Sequence, residues 1–125
     1  MKVARHFTPE EANQTLPLVR QIVTDILETG RQVRAISKTK PVDEEAIRLK
    51  VQKLERLVGE LEQIGCYFKD WNFDTGLVDF PAVVNGKDVL LCWRSDEPAI
   101  TQYHGYSDGY AGRKPLPRAA HSPAT

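Results

Sequence analysis

The chain is 125 residues long, which is enough for one small domain with a core of its own. Its 17 basic and 17 acidic residues cancel, so no overall field draws it onto nucleic acid or an anionic membrane, and no apolar run is long enough to span a bilayer. Its two cysteines, Cys66 and Cys92, stand in no metal-binding spacing and predict buried free thiols in a reducing compartment, hence a cytoplasmic protein.

The first predicted helix begins at Thr8. This residue is suited to cap the amide of Glu11, Glu11 to return the bond, and Pro9 stands where its missing N–H has no cost. We expect Pro17 to bend or restart the helix and Gly30 to mark a close crossing with another helix. Apolar or small residues recur in steps of three and four, which is the helical period: Leu16, Val19, Val23, Ile26, Gly30 and Val33.

A second helix is predicted to follow the break at residues 40–43 and to end at Gly65. Two helices joined by a short turn make an antiparallel, coiled-coil-like hairpin. A first helix of about 30 residues is about 45 Å long, whereas a strand is about 17–20 Å long. Because a small sheet would leave part of the hairpin uncovered, we expect a homodimer formed through the helices. The second apolar seam consists of Ile47, Val51, Leu54, Val58 and Leu61.

From residue 66 the apolar period changes to two, which predicts strands at 66–71, 77–84, 87–94 and 99–104. The pair Asn85-Gly86 is a strong hairpin signal, because a type I′ turn needs positive φ at both central residues. A two-residue turn also fixes the pairing of the flanking strands: Val84 with Lys87, Ala82 with Val89, Phe80 with Leu91, and Val78 with Trp93.

The sequence thus predicts an α+β fold, in which a long antiparallel helical hairpin packs on a small, mainly antiparallel β-sheet. A short edge strand is expected at residues 2–7. We place a single domain at residues 1–113. Residues 114–125 contain three prolines among small and polar residues, which predicts a mobile tail.

One face of the predicted hairpin is apolar and the other is mixed. The mixed face carries Asp79, which pairs with Cys92 and lies diagonal to Arg94. A carboxylate and a guanidinium buried there together would interact, since an unpaired buried charge is costly. One interpretation is a structural ion pair. The other makes Arg94 a bidentate anchor for an acidic ligand, with Asp79 orienting it.

His104 and Glu97 flank the following turn and strand. Beside Asp79 or Glu97, His104 could act as a general base that the carboxylate orients. The alternative is a histidine that is hydrogen-bonded to backbone and has no chemical role. A metal site needs three converging ligands, which His104, Glu97 and Asp79 could supply, or His6 in place of one. No HxH, HExxH or CxxC motif is present, so no metal is assigned.

The segment GYSDGYAGR, residues 105–113, carries three glycines, two tyrosines and Arg113. Its glycines allow an anion-holding nest of backbone amides, with Arg113 adding charge. A tight wrap that lays the tyrosines over the mixed sheet face explains the same residues without a ligand. The segment is not a P-loop, because no Gly-Lys-Ser/Thr sequence follows it.

Basic residues are concentrated on the helical hairpin. Between residues 31 and 56 there are eight basic and four acidic side chains, a local excess suited to a phosphate backbone or an acidic partner. However, four-apart pairs such as Glu44 with Arg48 are typical of a solvated helix, and no aromatic residue interleaves as a stacking platform would require. We therefore do not expect nucleic acid to be a partner.

Three stretches of the chain resemble a known family. FTPEEANQTLPLVRQIV, GLVDFPAVVNGKDVLLCWRSDEPAI, and YH followed by GYAGRKPL are similar to an uncharacterised prokaryotic family, domain of unknown function 2203, over about residues 6–116. The resemblance implies a bacterial or archaeal cytoplasmic protein, and it implies no activity, because none is established for the family. The family pattern carries over onto Asp79, Phe80, Pro81, Cys92, Trp93, Arg94, Glu97, His104, Gly109, Gly112 and Arg113.

We expect a binding or interaction module rather than an enzyme, dimeric through its helices and without a cofactor. The alternatives are a small metal- or His-dependent hydrolase that uses the same pocket, and binding of nucleic acid or an acidic partner by the basic hairpin. The predicted pocket, on the sheet, takes a small polar or anionic ligand and is formed by Asp79, Arg94, Glu97, His104 and Arg113.

Overall fold

The computed structural model describes residues 5–117. Two helices come first, α1 at Pro9–Ser37 and α2 at Glu44–Ile64. The predicted capping box is present at the start of α1: the amide of Glu11 donates to the Thr8 hydroxyl at 3.0 Å, and the amide of Thr8 donates to the Glu11 carboxylate at 2.9 Å. α2 ends, as predicted, at Gly65, whose φ of 110° suits a residue without a Cβ.

Two details of α1 differ from the sequence prediction. The helix does not restart at Pro17, because α1 runs through it as one element. Gly30 lies against the ring of Phe73, in the loop before the second strand, where a Cβ would come within 2.2 Å of a ring carbon. The close approach at Gly30 is therefore between a helix and a loop.

Five strands form one antiparallel sheet in chain order. The central hairpin has the predicted register, and its two turn residues have φ values of 53° and 75°, as a type I′ turn requires. The first and fourth strands are shorter than predicted. The strands are β1 Tyr67–Phe68, β2 Leu77–Val84, β3 Lys87–Arg94, β4 Gln102–His104 and β5 Lys114–Pro115.

The apolar face of the β2–β3 hairpin forms the core. Phe80 and Trp93 are fully buried there, and they belong to the same apolar cluster as Val19 and Ile26 from the seam of α1. The fold is therefore α+β, with two helices packed against a five-strand antiparallel sheet, and this confirms the predicted class. Among the described residues, neither helix combines the length and apolarity needed to cross a membrane.

The core covers only part of the helical hairpin. The buried residues of α1 end at Gly30, although the helix continues to Ser37. In α2 the buried residues are Leu54, Leu57 and Leu61, so the part of this helix before Leu54 buries no side chain within the described chain. Within residues 5–117, no layer therefore covers the far end of the hairpin.

The two ends of the domain depart from the predicted boundaries. Phe7 makes a single parallel bridge to Ala82, and residues 2–4 of the predicted edge strand lie outside the described residues. At the other end, β5 and the buried Leu116 fall in the range assigned to the tail. The amide of Leu116 donates to the Thr101 carbonyl at 2.9 Å. The fold therefore continues past residue 113, and residues 118–125 of the predicted tail lie outside the described residues.

Candidate functional site

Three ionisable side chains meet on the sheet face opposite the core. Asp79 of β2 is the register partner of Cys92 in β3, and His104 of β4 pairs with Leu90, two residues from Cys92. Alternate residues of a strand share a face, so the three side chains project to the same side of neighbouring strands. All three are buried, with Asp79 and His104 each only 4% exposed.

The hydrogen bonds of His104 define its tautomer. Its Nδ1 lies 2.8 Å from the carbonyl oxygen of Gly105; a carbonyl only accepts, so Nδ1 carries a proton and donates. Its Nε2 lies 3.2 Å from Oδ1 of Asp79. Without a proton between them, two lone pairs would face each other in a buried site. His104 and Asp79 therefore hold one proton between Nε2 and Oδ1.

Burial governs the protonation of the neighbouring groups. It raises the pKa of Asp79, while the adjacent positive charge of His104 acts in the opposite direction. It also raises the pKa of the Cys92 thiol to about 12, and the negative charge of Asp79 adds to that effect. The thiol is therefore protonated at neutral pH and donates a hydrogen bond to Asp79. A low thiol pKa is what a nucleophilic cysteine needs, and Cys92 lacks it.

These three groups form the floor of a cleft of about 450 Å³, which we call the sheet cleft. This volume lies in the range of small-molecule sites, roughly 300–1,000 Å³. Lys69, Tyr106 and Tyr110, all exposed, line it together with the floor residues. The sheet cleft thus combines a buried polar floor with an exposed rim that carries a positive charge and two phenols.

Arg94 does not form the predicted ion pair with Asp79. The register places Arg94 opposite Leu77 at the end of β3, and its guanidinium bonds Asp96, two residues on, and the hydroxyl of Tyr110. The prediction of that pair is wrong because a side chain at a strand end is next to the acids of the following turn. Asp79, two residue pairs further into the hairpin, meets His104 instead.

Glu97 and Arg113 form a second cluster. Nη2 of Arg113 lies 2.6 and 2.7 Å from the two carboxylate oxygens of Glu97 and donates to the Cys92 carbonyl at 3.2 Å. Glu97 also accepts from the amide of Arg94 at 2.7 Å. The predicted five residues thus divide into two groups: Asp79 and His104 lie at the cleft floor, whereas Arg94, Glu97 and Arg113 tie segment 105–113 to the sheet.

The metal set suggested by the sequence does not converge. Glu97 is held by Arg113, and His6 lies beside Asp88, with Nε2 3.5 Å from a carboxylate oxygen. The group of potential ligands that does converge consists of Asp79, Cys92 and His104, whose ligand atoms all lie within 4.8 Å of one another.

The segment 105–113 wraps beside the sheet cleft. The amide of Gly105 donates to the Asp108 carboxylate at 3.1 Å, and that of Gly112 donates to the Gly109 carbonyl at 3.0 Å. The amides of Gly105 and Gly112 are therefore bonded within the segment and do not point a free N–H at an anion. The wrap instead brings Tyr106 and Tyr110 to the rim.

Cys92 and Lys69 are two polar cleft residues that the predicted set of five omits. The signal for Cys92 exists in the sequence, since the hairpin turn sets it opposite Asp79. Lys69 follows β1, and its place at the cleft depends on how β1 docks against β2, where Tyr67 pairs with Asp79. No local pattern around Lys69 carries that tertiary information.

Three of the basic residues of the helical hairpin, Arg31, Arg34 and Arg48, have local partners. Arg31 donates to the carbonyl of Asp74, and Arg34 donates to that of Asn72, in the loop before β2. Arg48 pairs with Glu45, one turn away on α2. Arg31 and Arg34 thus hold the loop before β2 against α1, and Arg48 forms an ion pair within α2.

The comparison with known families agrees with the resemblance seen in the sequence. A family model, described as an uncharacterized conserved protein (DUF2203), matches residues 5–116. The match includes both helices, all five strands up to Pro115, and the three residues of the cleft floor. No curated protein and no solved structure matches the chain. The protein therefore belongs to the DUF2203 family.

Proposed function

We propose that this protein is a binding module that takes a small polar or anionic ligand into the sheet cleft. The supporting observation is the buried pair of Asp79 and His104 at the floor of an open cleft. A buried ionisable pair stabilises a fold no better than well-packed apolar residues, and such pairs in clefts are typical of functional sites. Recognition of a ligand explains why this pair lies at the floor of a cleft that is open to solvent.

The charge balance around the cleft favours an anion. Asp79 and His104 hold one proton between them and so cancel, and the guanidiniums of Arg94 and Arg113 are matched by Asp96 and Glu97. Among the residues that line the cleft, Lys69 then adds one positive charge at the rim. Its ammonium and the Tyr106 hydroxyl both donate hydrogen bonds, which suits the oxygens of a carboxylate or a phosphate.

The arrangement favours binding over unaided hydrolysis. A His-dependent hydrolase needs a base that points at a nucleophile or water, whereas Nε2 of His104 is directed at Asp79. The Cys92 thiol is protonated, because burial raises its pKa to about 12. Neither group is poised for nucleophilic attack.

Amide chemical shifts would test the proposal. With EDTA present to remove metal ions, titration with phosphate or acetate should move the NMR signals of Lys69, Tyr106 and Gly109. Lys69→Ala should weaken this binding about fivefold, because an exposed charge pair contributes up to about 1 kcal/mol. Lys87→Ala, at the far hairpin tip, is the matched control and should bind as the parent does. Shifts spread over other surfaces, or none at all, would refute the proposal.

We further propose that the helical hairpin pairs with a second copy of the chain. Its uncovered end presents Leu49, 52% exposed, and Val51, which lines an apolar groove of about 300 Å³ on α2. Trp71, 56% exposed, borders the same groove. A second hairpin offers the matching apolar seam, because both partners carry the same heptad-like spacing.

A further inference from the structure

We propose that Asp79, Cys92 and His104 form a binding site for one divalent transition-metal ion of the zinc type, with its remaining coordination position open to the sheet cleft. The inference rests on the proposed function, since it names an occupant for the floor of the same cleft. It commits to three ligand atoms: a carboxylate oxygen of Asp79, Sγ of Cys92 and Nε2 of His104.

The spacing of these atoms suits tetrahedral coordination. All three lie within 4.8 Å of one another, and Nε2 of His104 is 3.2 Å from Oδ1 of Asp79. Tetrahedral zinc with bonds of about 2.0–2.3 Å holds neighbouring ligand atoms roughly 3.5 Å apart. Side-chain rotations that change these separations by at most about 1.3 Å therefore bring the three atoms to bonding distance of a common centre.

The orientation of His104 is that of a metal ligand. Its Nδ1 donates to the Gly105 carbonyl at 2.8 Å, which holds the ring in place and directs Nε2 at the cluster. A backbone carbonyl that receives the second ring N–H is a common outer partner of metal-bound histidine. The ring thus has the direction that coordination needs before any ion binds, and coordination would displace the proton that Nε2 shares with Asp79.

Charge and ligand type select the kind of ion. A divalent ion would replace two protons, the one between His104 and Asp79 and the one on the Cys92 thiol. A thiolate, a carboxylate and a neutral imidazole then balance the ion, so the buried cluster stays neutral. Sulfur and nitrogen ligands favour zinc and its neighbours, whereas magnesium and calcium prefer sites made of oxygen alone.

Access to solvent leaves room for a further ligand. The three protein ligands lie at the floor of the sheet cleft, and Lys69, Tyr106 and Tyr110 stand at its rim. Three protein ligands with one open position is the pattern of zinc sites that bind water or a substrate. The exchangeable fourth ligand would be water or the small anion for which Lys69 supplies the opposite charge.

Cobalt(II) provides a probe with a spectrum. The purified full chain is freed of metal with EDTA, exchanged into chelator-free buffer and titrated with CoCl₂. We expect one ion per chain, a near-ultraviolet band of sulfur-to-cobalt charge transfer, and visible bands of a tetrahedral type that zinc then abolishes by displacement. Binding of zinc should also raise the melting temperature of the parent chain.

Single substitutions assign the ligands. Cys92→Ala should remove the charge-transfer band, and His104→Ala should weaken cobalt binding at least tenfold. Cys66→Ala, which removes the other buried thiol, and His6→Ala, which removes an exposed histidine beside Asp88, should leave both readouts unchanged.

If a cleft variant fails to fold, the titration of the parent chain with cobalt still decides. No charge-transfer band in the parent, or a band lost with Cys66 rather than Cys92, would overturn the inference. Anion-induced shifts at the rim in EDTA would then still support the binding module.

Discussion

At the scale of single residues, the cleft floor shows how strand pairing produces chemistry. The hairpin register sets Asp79 opposite Cys92, and this could be predicted because two turn residues fix the pairing of sixteen strand positions. The partner of Asp79 could not be predicted from the sequence. Whether that carboxylate meets Arg94 or His104 depends on how β4 pairs with β3. The sequence of β4 contains no turn that fixes this pairing.

The protonated state of Cys92 leads to a labelling prediction. Because burial raises the pKa of both thiols to about 12, neither Cys66 nor Cys92 should react with iodoacetamide at pH 8 on the timescale on which a free peptide thiol does. Both should react once the chain is unfolded in urea. Peptide mass mapping reads each cysteine separately. Rapid labelling of Cys92 in the native chain would indicate an activated thiolate and contradict the description of the cleft floor.

At the scale of secondary-structure elements, the sequence predicted the two helices and the two long strands well, because each carries strong local signals. The caps and seams located α1 and α2, and the Asn85-Gly86 turn located β2 and β3. The short strands β1, β4 and β5 carry two or three residues each. Their extent is decided by neighbours across the sheet rather than by periodicity, so the sequence overextended β1 and β4 and assigned β5 to a tail.

The contact of α1 with the loop before β2 gives a second prediction. Gly30→Ala should destabilise the protein by about 1–3 kcal/mol, although alanine favours a helix, because its Cβ would overlap the Phe73 ring. Gly59→Ala is the matched control in α2, where nothing lies within 4 Å of the added Cβ, and it should stabilise by up to about 1 kcal/mol. Urea unfolding followed by circular dichroism measures both. Equal effects at the two sites would contradict the packing of Phe73 against α1.

At the scale of the whole molecule, the uncovered end of the hairpin predicts the oligomeric state. Size-exclusion chromatography with light scattering should give twice the mass of one chain. Val51→Lys should shift that mass toward the monomer, because it places a charge at the proposed contact. Leu18→Lys, an equally drastic change at another exposed position, should leave it unchanged. A monomeric parent chain at micromolar concentration would contradict the pairing of hairpins.

The whole fold also shows why its class could be predicted from the sequence, whereas the arrangement of the site residues could be predicted only in part. An α+β class follows from periodicity, which local residues define. The site draws on three strands and a closing segment that meet only after folding. The structure brings Asp79 and His104 together at the cleft floor, whereas Arg94, Glu97 and Arg113 hold segment 105–113 against the sheet.

Anomalous X-ray diffraction from crystals of the zinc-loaded chain, measured at the zinc absorption edge, tests the proposed metal site most directly. We expect one strong anomalous peak in each chain, at about 2.0–2.3 Å from Asp79, Cys92 and His104, on the floor of the sheet cleft. A peak at His6 or elsewhere on the surface, or an ordered cleft floor without any peak, would refute the metal site.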